Sequence, residues 1–552
     1  MTSRIALLFS GLFCLLVASS PMCAADTEQA RYQSEVVVYG ATPGGVSAAI
    51  SAARMGNEVV LIAYQQHVGG MTASGLGKSD IEKREMIQGL FTEFVGNVRN
   101  HYVGFYGKDH PDFPLCRDGY YYEPSVAEAT FESMLMAESN IKVLKGYRLV
   151  DAEKEGNRLI AINVVPRDSE EADRKQDSLR IEGRVFIDAT YEGDLLAKAG
   201  ADFRLGRESR DEFDEPHAGV IYFDYQTKEV LPGTTGEADD RLPAYTYRLC
   251  FTTDANNGFQ LSEPPIGYER ENYVGYFQDL ENGLLDGPKN FKPSRGYNPA
   301  HFGTLVRALS VTNIPNQKTD VNINPRPLAF PFPEMNKGYI EGDEATRKQI
   351  CDNHRNIVLG LIWFLQNDSE VPDAHRKIAR EYYFPHDEFT DNAGFPFQMY
   401  IREGRRLIGE YTLIEQDITG YGENREPKRY EDSIAVGEFP IDSFPCQKKQ
   451  PGDTVVLEGY LGLLDHITRP YEIPYRIMVP QKVDGLLVPV AASTTHVAFS
   501  SVRMEPTWMA LGQAAGVAAH LAIQENVPAR RIPIAELQRQ LKSQGHVIKL
   551  AE

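Results

Sequence analysis

The sequence contains few cysteines and spaces them widely. Of its six cysteines, Cys14 and Cys23 lie in the first 25 residues, and no two cysteines form a CxxC pair. Iron–sulfur clusters and structural zinc need clustered thiolates, so the spacing argues against both, and we predict no metal site. The other four cysteines can pair in several ways as disulfides, and free buried thiols are an equal alternative.

An excess of basic residues is also missing. Asp and Glu outnumber Lys and Arg by 77 to 57, which gives a net charge of −20. Binding to nucleic acid requires a basic face that neutralises phosphates. We therefore predict that the chain has no nucleic-acid partner.

The apolar run at the N-terminus, residues 5–18, is too short to span a membrane comfortably. It follows Arg4 and precedes the small residues at 23–25, a pattern typical of a secretory signal peptide over residues 1–25. A retained membrane anchor is the alternative. We expect a periplasmic or secreted protein without stable membrane insertion once the signal is removed.

A short apolar run, Val36–Tyr39, leads into a glycine-rich turn that contains Gly40, Gly44 and Gly45. A strand, a glycine turn and a small-residue helix in this order place backbone N–H groups at a helix N-terminus, where they can face a pyrophosphate. Thr42 takes the position of the usual middle glycine. The pattern nevertheless predicts binding of an adenine dinucleotide.

The second strand, Val59–Ile62, lacks the acidic residue that usually follows it. An Asp or Glu at this point hydrogen-bonds the ribose in the common fingerprint, but here the position holds Ala63. Alanine cannot make that contact. Either Gln65 or Gln66 replaces it, or the contact is missing.

Residues 141–189 have the alternating pattern of a β-meander, which ends in Asp188, Ala189 and Thr190 before a short helix at Leu195–Ala199. Near the C-terminus, a buried strand around Leu486 runs into a polar turn and then into a helix rich in glycine and alanine. Close packing alone can explain such a helix, but its N-terminal dipole can also face an anionic group.

Residues 205–471 differ in composition from the rest of the chain, because they contain many aromatic and proline residues and predict irregular loops. Helices are predicted at 344–365, 374–382 and 400–411. The predicted organisation is a signal segment (1–25), three parts of one nucleotide-binding domain (33–110, 141–204 and 473–525), a connecting segment that forms a wall of the substrate site (111–140), a substrate domain (205–472) and a C-terminal helix (526–552).

Four motifs, in this order, resemble the FAD-dependent oxidoreductases of the glutathione-reductase-type flavoprotein class. They are residues 40–45, the second glycine loop at 67–77, the strand end at 188–190, and residues 503–505 with 511–516. More narrowly, the chain resembles a secreted bacterial group labelled xanthan lyase-like. The resemblance covers nearly the whole mature chain. It implies an α/β fold with a discontinuous Rossmann-like FAD-binding domain, including the β-meander, and an inserted α+β substrate domain.

The resemblance also implies the residues that bind FAD. The first glycine loop would hold the pyrophosphate, the second would run beside the ribityl chain and flavin, and the C-terminal helix would face the pyrimidine edge. The residues implied are Gly40, Thr42, Gly44, Gly45, Gly69, Gly70, Met71, Ala189, Thr190, Gly512, Gln513, Ala514 and Ala515. Tyr191 replaces the glycine that commonly follows the strand end.

Oxidation of an alcohol by a flavin needs a base for the hydroxyl proton and cationic groups that hold the substrate. The candidate catalytic residues are His217, His496, Arg405 and Arg503. Arg402 and Arg405 or Arg406 are spaced to share one side of the helix predicted at 400–411, where a guanidinium pair would clamp a carboxylate or sulfate. Each histidine has an ordinary structural alternative, and the arginines have the alternative of a solvated helix face.

The sequence therefore predicts an exported FAD oxidoreductase that transfers hydride from a small polar molecule to flavin, with a carbohydrate derivative as one candidate substrate. The sequence does not identify the electron acceptor. One rival is a polysaccharide lyase that abstracts a proton next to a uronate carboxylate. The other rival is a flavin-binding protein without turnover.

Overall fold

The structure is a computed structural model that describes residues 30–169, 178–224, 227–281, 309–323, 332–447, 457–462 and 464–551. The predicted signal segment, residues 1–25, lies outside the described residues.

The strands are β1 Ala30–Gln33, β2 Val36–Tyr39, β3 Val59–Ala63, β4 Ile141–Lys145, β5 Tyr147–Glu155, β6 Arg158–Pro166, β7 Leu179–Glu182, β8 Val185–Asp188, β9 Phe203–Arg204, β10 Phe223–Asp224, β11 Glu229–Val230, β12 Leu249–Thr252, β13 Gly258–Phe259, β14 Leu309–Ile314, β15 Lys318–Ile323, β16 Phe384–Pro385, β17 Arg406–Leu407, β18 Ser433–Gly437, β19 Tyr471–Pro474 and β20 Leu486–Leu487.

The α-helices are α1 Pro43–Arg54, α2 Leu90–Tyr106, α3 Pro124–Met136, α4 Asp194–Lys198, α5 Arg210–Phe213, α6 Gly275–Glu281, α7 Glu344–Asn367, α8 Asp373–Ala379, α9 Glu415–Thr419, α10 His496–Val502, α11 Glu505–Gln524 and α12 Ile534–Ser543.

A five-stranded parallel sheet, in the order β20-β8-β2-β3-β4, lies at the centre of the fold. Its strands come from widely separated parts of the sequence, because β20 near the C-terminus pairs with β8, and β8 pairs with β2 near the N-terminus. Strands β2 and β3 are fully buried apolar runs, as expected for a parallel sheet covered on both faces. The fold is therefore mixed α/β.

Alternation along β2 assigns its two faces to different layers. Val36 and Val38 pack in the same apolar cluster as α1 and α11, whereas Val37 and Tyr39 pack against a second sheet. That sheet, in the order β1-β7-β6-β5, confirms the predicted meander for β5, β6 and β7, which are antiparallel. The first and last segments predicted for the meander are instead β4 and β8 of the parallel sheet. The hydroxyl of Tyr39 accepts a hydrogen bond from the amide of Leu149 at 2.9 Å, so it joins the two sheets.

Helices α1 and α11 cross in very close contact. A Cβ placed on Gly512 would lie 1.9 Å from the carbonyl oxygen of Gly44, and one placed on Gly516 would lie 2.4 Å from the carbonyl oxygen of Ala48. The hydroxyl of Ser51 donates to the carbonyl oxygen of Gln513 at 2.9 Å. Small residues on both helices are therefore required for the helix that follows the first glycine turn to meet the C-terminal helix.

Residues 205–472 contain short antiparallel pairs and helices. The largest described sheet in this region has the order β12-β15-β14, and α7 is its longest helix. The prediction of a helix at 344–365 is confirmed by α7, whose N-cap residue Asp343 accepts from the amide of Thr346 at 2.9 Å. The prediction at 374–382 is confirmed by α8.

The helix predicted at 400–411 is wrong. Residues 401–405 have no regular secondary structure, and β17 (Arg406–Leu407) pairs antiparallel with β9. The helical spacing failed because Arg402, Arg405 and Arg406 are all buried and reach different partners, which an extended backbone allows and one helix face does not. These arginines therefore do not form the predicted clamp.

Cys116, Cys250, Cys351 and Cys446 are free thiols, so the structure favours the free-thiol alternative over disulfides. In the part of the chain that the structure covers, no helix has both the length and the apolar character needed to cross a bilayer.

We predict that Gly512→Ala lowers the free energy of unfolding by about 3 kcal/mol or more, because the added methyl would overlap a backbone oxygen that cannot move independently. Gly96→Ala is the matched control. Gly96 is also helical, but its added Cβ meets nothing within 4 Å, so this variant should be neutral or more stable by about 0.5–1 kcal/mol. Urea denaturation of both variants measures the difference, and equal midpoints would contradict the packing argument.

Candidate active site

A cavity of about 340 Å³ lies at the carboxyl ends of β2 and β3. Residues 39–42, Ala63 and Thr190 form the part of its wall that belongs to the parallel sheet. Other lining residues come from α7 and from the segment 395–399. A crevice at the carboxyl edge of parallel strands is where open α/β folds bind their ligands.

The first glycine loop is held closed by contacts that exclude side chains. Gly40 has φ +106°, and its Cβ would lie 2.5 Å from the carbonyl carbon of Ala189. A Cβ on Gly45 would lie 1.9 Å from the carbonyl oxygen of Gly40. Gly40 therefore allows a tight turn, and Gly45 allows α1 to pack closely on this loop.

Thr42 has a structural role that the middle glycine of the usual fingerprint could not perform. It is the N-cap of α1, and its hydroxyl oxygen accepts from the amide of Gly45 at 3.2 Å. The same hydroxyl donates to the carbonyl oxygen of Ala189 at 2.8 Å. Thr42 therefore stabilises the start of α1 and joins it to the end of β8.

Ala63 is buried at the end of β3, and the residues after it turn into the cavity wall. Gln65 lines the cavity, and its side-chain oxygen accepts from Arg167, another lining residue. Gln66 is exposed, and its amide packs against Gly146. Of the two glutamines proposed as a substitute for the acidic residue, Gln65 is the one placed at the cavity.

The second glycine loop contacts Tyr191, the residue that departs from the common pattern. A Cβ on Gly70 would lie 2.3 Å from the Tyr191 hydroxyl oxygen, so only glycine leaves room for this ring. The hydroxyl accepts from the amide of Met71 at 2.9 Å and donates to Glu505 Oε1 at 2.6 Å. One tyrosine therefore connects the second glycine loop with the start of α11.

Glu505 is the first residue of α11 and is almost fully buried. Burial raises the pKa of its carboxyl from 4.5 to about 8, and the charge of Asp80 adds to this effect, while the Tyr191 hydroxyl lowers it. Its Oε2 has no hydrogen-bond partner among the residues that the structure describes. A carboxyl that titrates near neutral pH beside two glycine-rich loops has the properties of an acid–base group.

The carboxylate of Asp188, at the end of β8, fixes the strand end at 188–190. Its Oδ1 accepts from the amide and hydroxyl of Thr190 at 3.0 and 2.7 Å, and its Oδ2 accepts from the amide of Leu196 at 2.7 Å. Burial raises the pKa of Asp188 to about 6. Thr190 thereby lines the cavity in a fixed orientation, while Ala189 packs against Gly45 behind it.

Gly512, Gln513, Ala514 and Ala515 lie in the middle of α11, not at its N-terminus, which is Glu505. Their observed contacts are structural, because Gly512 meets Gly44 and Gln513 Oε1 accepts from the amide of Leu90 at 2.9 Å. Close packing therefore accounts for their residue types. Their part in cofactor binding remains a prediction.

The two candidate histidines are both oriented by glutamates. His496 Nδ1 lies 2.7 Å from Glu403 Oε2, and its Nε2 faces the Ser443 hydroxyl at 3.4 Å. His217 Nδ1 lies 2.5 Å from Glu415 Oε1, and its ring packs edge-on against Phe223. Neither histidine is among the residues that line the cavity.

The two candidate arginines have different surroundings. Arg405 donates to Asp194 at 3.0 Å and to the carbonyl oxygen of Ile340 at 2.7 Å, so it supports the cavity wall through Asp194. Arg503 donates to the Tyr400 hydroxyl at 3.0 Å and to the carbonyl oxygen of Asp442 at 2.7 Å. The structure therefore separates these two guanidinium groups.

Sequence reasoning underestimated several residues. Tyr191 was noted only as a departure from a pattern, and Arg347 and Asp194, which pair at 2.6 Å in the cavity wall, carried no signal. A buried tyrosine next to a glycine loop has no distinctive spacing in the sequence. Within the described ranges, no group of three or more His, Cys, Asp or Glu side chains is arranged to hold a metal ion.

We predict that Glu505→Gln flattens the pH dependence of stability. The raised pKa favours the protonated acid in the folded protein, so its contribution is full below about pH 4.5 and is lost as the pH rises through about 8. Gln resembles the protonated acid and does not titrate. One pKa unit corresponds to about 1.4 kcal/mol, so the variant should be more stable than the wild type by about 1 kcal/mol at pH 5 and by about 4–5 kcal/mol at pH 9.

Urea denaturation across this pH range measures the effect. Glu381→Gln, which changes an exposed carboxylate, is the control and should follow the wild-type profile. Parallel profiles for wild type and Glu505→Gln would show that Glu505 is not protonated in the folded protein at neutral pH.

Comparison with known proteins identifies the family. The family described as FAD dependent oxidoreductase matches residues 35–541. No curated protein matches the chain.

Solved structures with similarity to the chain include the quinol fumarate reductase FrdA of E. coli (10% identity, 94% of this chain, 74% of that chain, TM-score 0.33). A geranylgeranyl bacteriochlorophyll reductase-like protein of Thermoplasma acidophilum is 12% identical over 93% of this chain and 84% of that chain, with a TM-score of 0.34. An L-proline dehydrogenase of P. horikoshii is 16% identical over 34% of this chain and 27% of that chain, with a TM-score of 0.18. Several other similar structures are matched over less than half of their own length. Because the family match spans nearly all of the described fold, the chain belongs to the FAD dependent oxidoreductase family and is an oxidoreductase that uses FAD.

Proposed function

We propose that the protein oxidises a small polar substrate, such as a carbohydrate derivative, by transferring a hydride to FAD. The observation that carries this proposal is the meeting of the second glycine loop and the start of α11 at two buried ionisable side chains, Tyr191 and Glu505. Such a site can accept or release a proton while water is excluded.

The residues around the cavity fit an anionic dinucleotide. The first turn of α1 contains no acidic residue. Four cationic residues line the same cavity against three carboxylates; the cations are Arg167, Arg347, Lys348 and Arg355, and the carboxylates are Glu192, Asp194 and Asp352. Residues 40–45 would hold the pyrophosphate at the N-terminus of α1, and Gln65 would face the ribose. When bound, FAD supplies the hydride acceptor, and the protein supplies orientation and charge.

The proposal includes the finer architecture of the glutathione-reductase type. In it, residues 33–110, 141–204 and 473–525 form one discontinuous FAD-binding domain, and residues 205–472 form an inserted substrate domain. The parallel pairing of β20 with β8, and of β8 with β2, supports the first part. Residues 69–71 would lie beside the ribityl chain, and α11 would direct its N-terminal dipole to the pyrimidine edge.

His496 is the base that we propose for the substrate hydroxyl. Its Nδ1 is fixed by Glu403, which leaves Nε2 to exchange a proton. The segment 442–444 connects it with the cationic groups, because Ser443 faces His496, while Asp442 accepts from Arg503. Arg503 would hold a polar group of the substrate, and Arg405 would position the cavity wall through Asp194.

We also retain export as a proposal, supported by the signal pattern in residues 1–25. N-terminal sequencing of the protein recovered from the periplasm or the medium tests it. A mature chain that begins close to residue 26 is the expected result, and recovery only from the cytoplasm with an intact N-terminus would contradict it.

We predict that one member of an anaerobic panel of polyols, sugar acids and hydroxy acids bleaches the flavin absorbance of the FAD-loaded protein. His496→Ala should lower the rate of bleaching by about 100-fold or more, because the proton acceptor is lost. His217→Ala should leave the rate close to that of the wild type, because His217 contacts Glu415 and Phe223, whereas His496 contacts the segment 442–444 that binds Arg503. Stopped-flow absorbance measures these rates.

Three results would contradict the proposal, and a fourth would exclude the role of His496 alone. Protein without flavin absorbance after incubation with FAD would exclude the redox chemistry. Formation of unsaturated products from uronate polymers without flavin reduction would favour the lyase. Bound flavin that no substrate bleaches would favour a binding protein, and equal rates in both histidine variants would exclude His496 as the base.

A further inference from the structure

Arg402 is a buried cation without a carboxylate partner. Its guanidinium lies against two aromatic rings, with Cζ 3.6 Å from the centroid of the Phe444 ring and 4.4 Å from that of the Tyr400 ring. Its Nη1 donates to the carbonyl oxygen of Ala244 at 2.6 Å. The residue is 1% exposed. No carboxylate of the described residues lies within 4.0 Å of its nitrogens, although a buried unpaired charge is costly in free energy.

The remaining donors of Arg402 form one edge of the guanidinium. Nε and Nη2 are both buried, and neither has a hydrogen-bond partner among the described residues. These two N–H groups are parallel and in one plane, which matches the two oxygens of a carboxylate. The unsatisfied part of Arg402 is therefore a complete bidentate site.

Other arginines in this protein show what this edge binds. Arg248 uses Nε and Nη2 to hold Asp320 at 2.6 and 2.7 Å. Arg476 uses the same edge to hold Asp432 at 2.9 and 3.2 Å. In both pairs the partner is a carboxylate, and Arg402 presents the same edge without one.

The surroundings of Arg402 add positive charge. Burial and the neighbouring Arg503 and Arg248 lower the pKa of Arg402 to about 9, although the side chain remains protonated at neutral pH. Arg248 is paired with Asp320 and lies 3.9 Å from Asp80, whereas Arg503 lies 3.7 Å from the nearest carboxylate oxygen of Asp442. Arg248 and Arg503 therefore each have a carboxylate beside them, whereas Arg402 has none within 4.0 Å among the described residues, so its free edge is the one that favours an anion.

The position of Arg402 connects it with the proposed substrate site. Tyr400, whose ring lies over the guanidinium and whose hydroxyl accepts from Arg503, directly follows Met399 in the cavity wall. Tyr400 and Asp442 are only half-buried, so they separate Arg402 from solvent. The segment 442–444 brings Arg402, Arg503 and the candidate base His496 to one part of the molecule.

We propose that Arg402 binds a carboxylate of the substrate through Nε and Nη2, with Arg503 and Tyr400 beside it, so that the protein acts on small carboxylic acids. This inference rests on the proposed function, because it names the substrate class of the same site. The sequence predicted a carboxylate clamp made of two arginines on one helix face. The proposed site instead uses the guanidinium of Arg402 alone, which lies against the rings of Tyr400 and Phe444.

Binding of a minimal carboxylate tests the proposal without turnover. Acetate and acetamide have nearly the same shape and differ in charge, and sodium chloride at equal ionic strength controls for salt. We expect acetate, but not acetamide or chloride, to raise the melting temperature of the FAD-loaded protein. In Arg402→Met the apparent affinity for acetate should fall by at least about tenfold, and Arg402→Lys should not restore it, since lysine lacks the fork.

Arg270→Gln is the control variant. Arg270 pairs with Asp368 on the surface, so its loss should leave acetate binding unchanged. Flavin absorbance reports whether FAD is retained, and because a buried unpaired cation is removed, Arg402→Met should fold at least as stably as the wild type without acetate.

Three outcomes would overturn the proposal. Wild-type acetate binding in Arg402→Met would exclude Arg402 as the site, and tighter binding of sulfate than of acetate would exclude a carboxylate site. Loss of FAD from Arg402→Met with acetate binding retained would show that this edge faces the cofactor. Failure of every substrate to bleach the flavin, with acetate binding intact, would remove the proposed function and leave the carboxylate site in place.

Discussion

The contact between α1 and α11 is the constraint on which the rest of the structure depends. Gly512 and Gly516 approach the backbone of α1 so closely that any side chain would overlap a carbonyl oxygen. This contact fixes α1, whose N-terminus forms the first glycine loop, relative to the start of α11, where Glu505 meets Tyr191. The two ends of the chain therefore build one site only because two helices are almost without side chains where they cross.

A second physical feature is that charged side chains are buried in residues 205–472. Arg406, for example, is fully buried and pairs with Glu208 at 2.7 Å and Glu403 at 2.8 Å, and Glu403 in turn orients His496. Removing such groups from water costs several kcal/mol per ion, which their pairing must offset. A region built in this way can hold side chains in one orientation without regular secondary structure, which suits a substrate site.

Much of the parallel sheet and of the helices that pack on it was predictable, because the sequence signals for these elements are local. The run Val36–Tyr39, the glycines after it and the small residues of α11 each constrain the backbone at their own positions, and the structure confirms the strands and helices that they predict. The segment 400–411 was not predictable in this way. Its arginine spacing fits a helix, but tertiary pairing of each guanidinium decided the backbone, and no local pattern reports a partner that lies far away in the sequence.

Two residues that depart from the usual nucleotide-binding fingerprint, Thr42 and Tyr191, make contacts that glycine could not make. Thr42, in place of a glycine, caps α1 and joins it to Ala189, and Tyr191, in place of another glycine, fills the space that Gly70 leaves open. Each larger side chain adds hydrogen bonds between segments that the usual glycine would leave unconnected. Ala63 is a different kind of departure, because alanine lacks the carboxylate that hydrogen-bonds the ribose in the usual fingerprint. Gln65, which is held at the cavity by Arg167, is the neighbouring side chain that we propose for recognition of the ribose in place of the missing acidic residue.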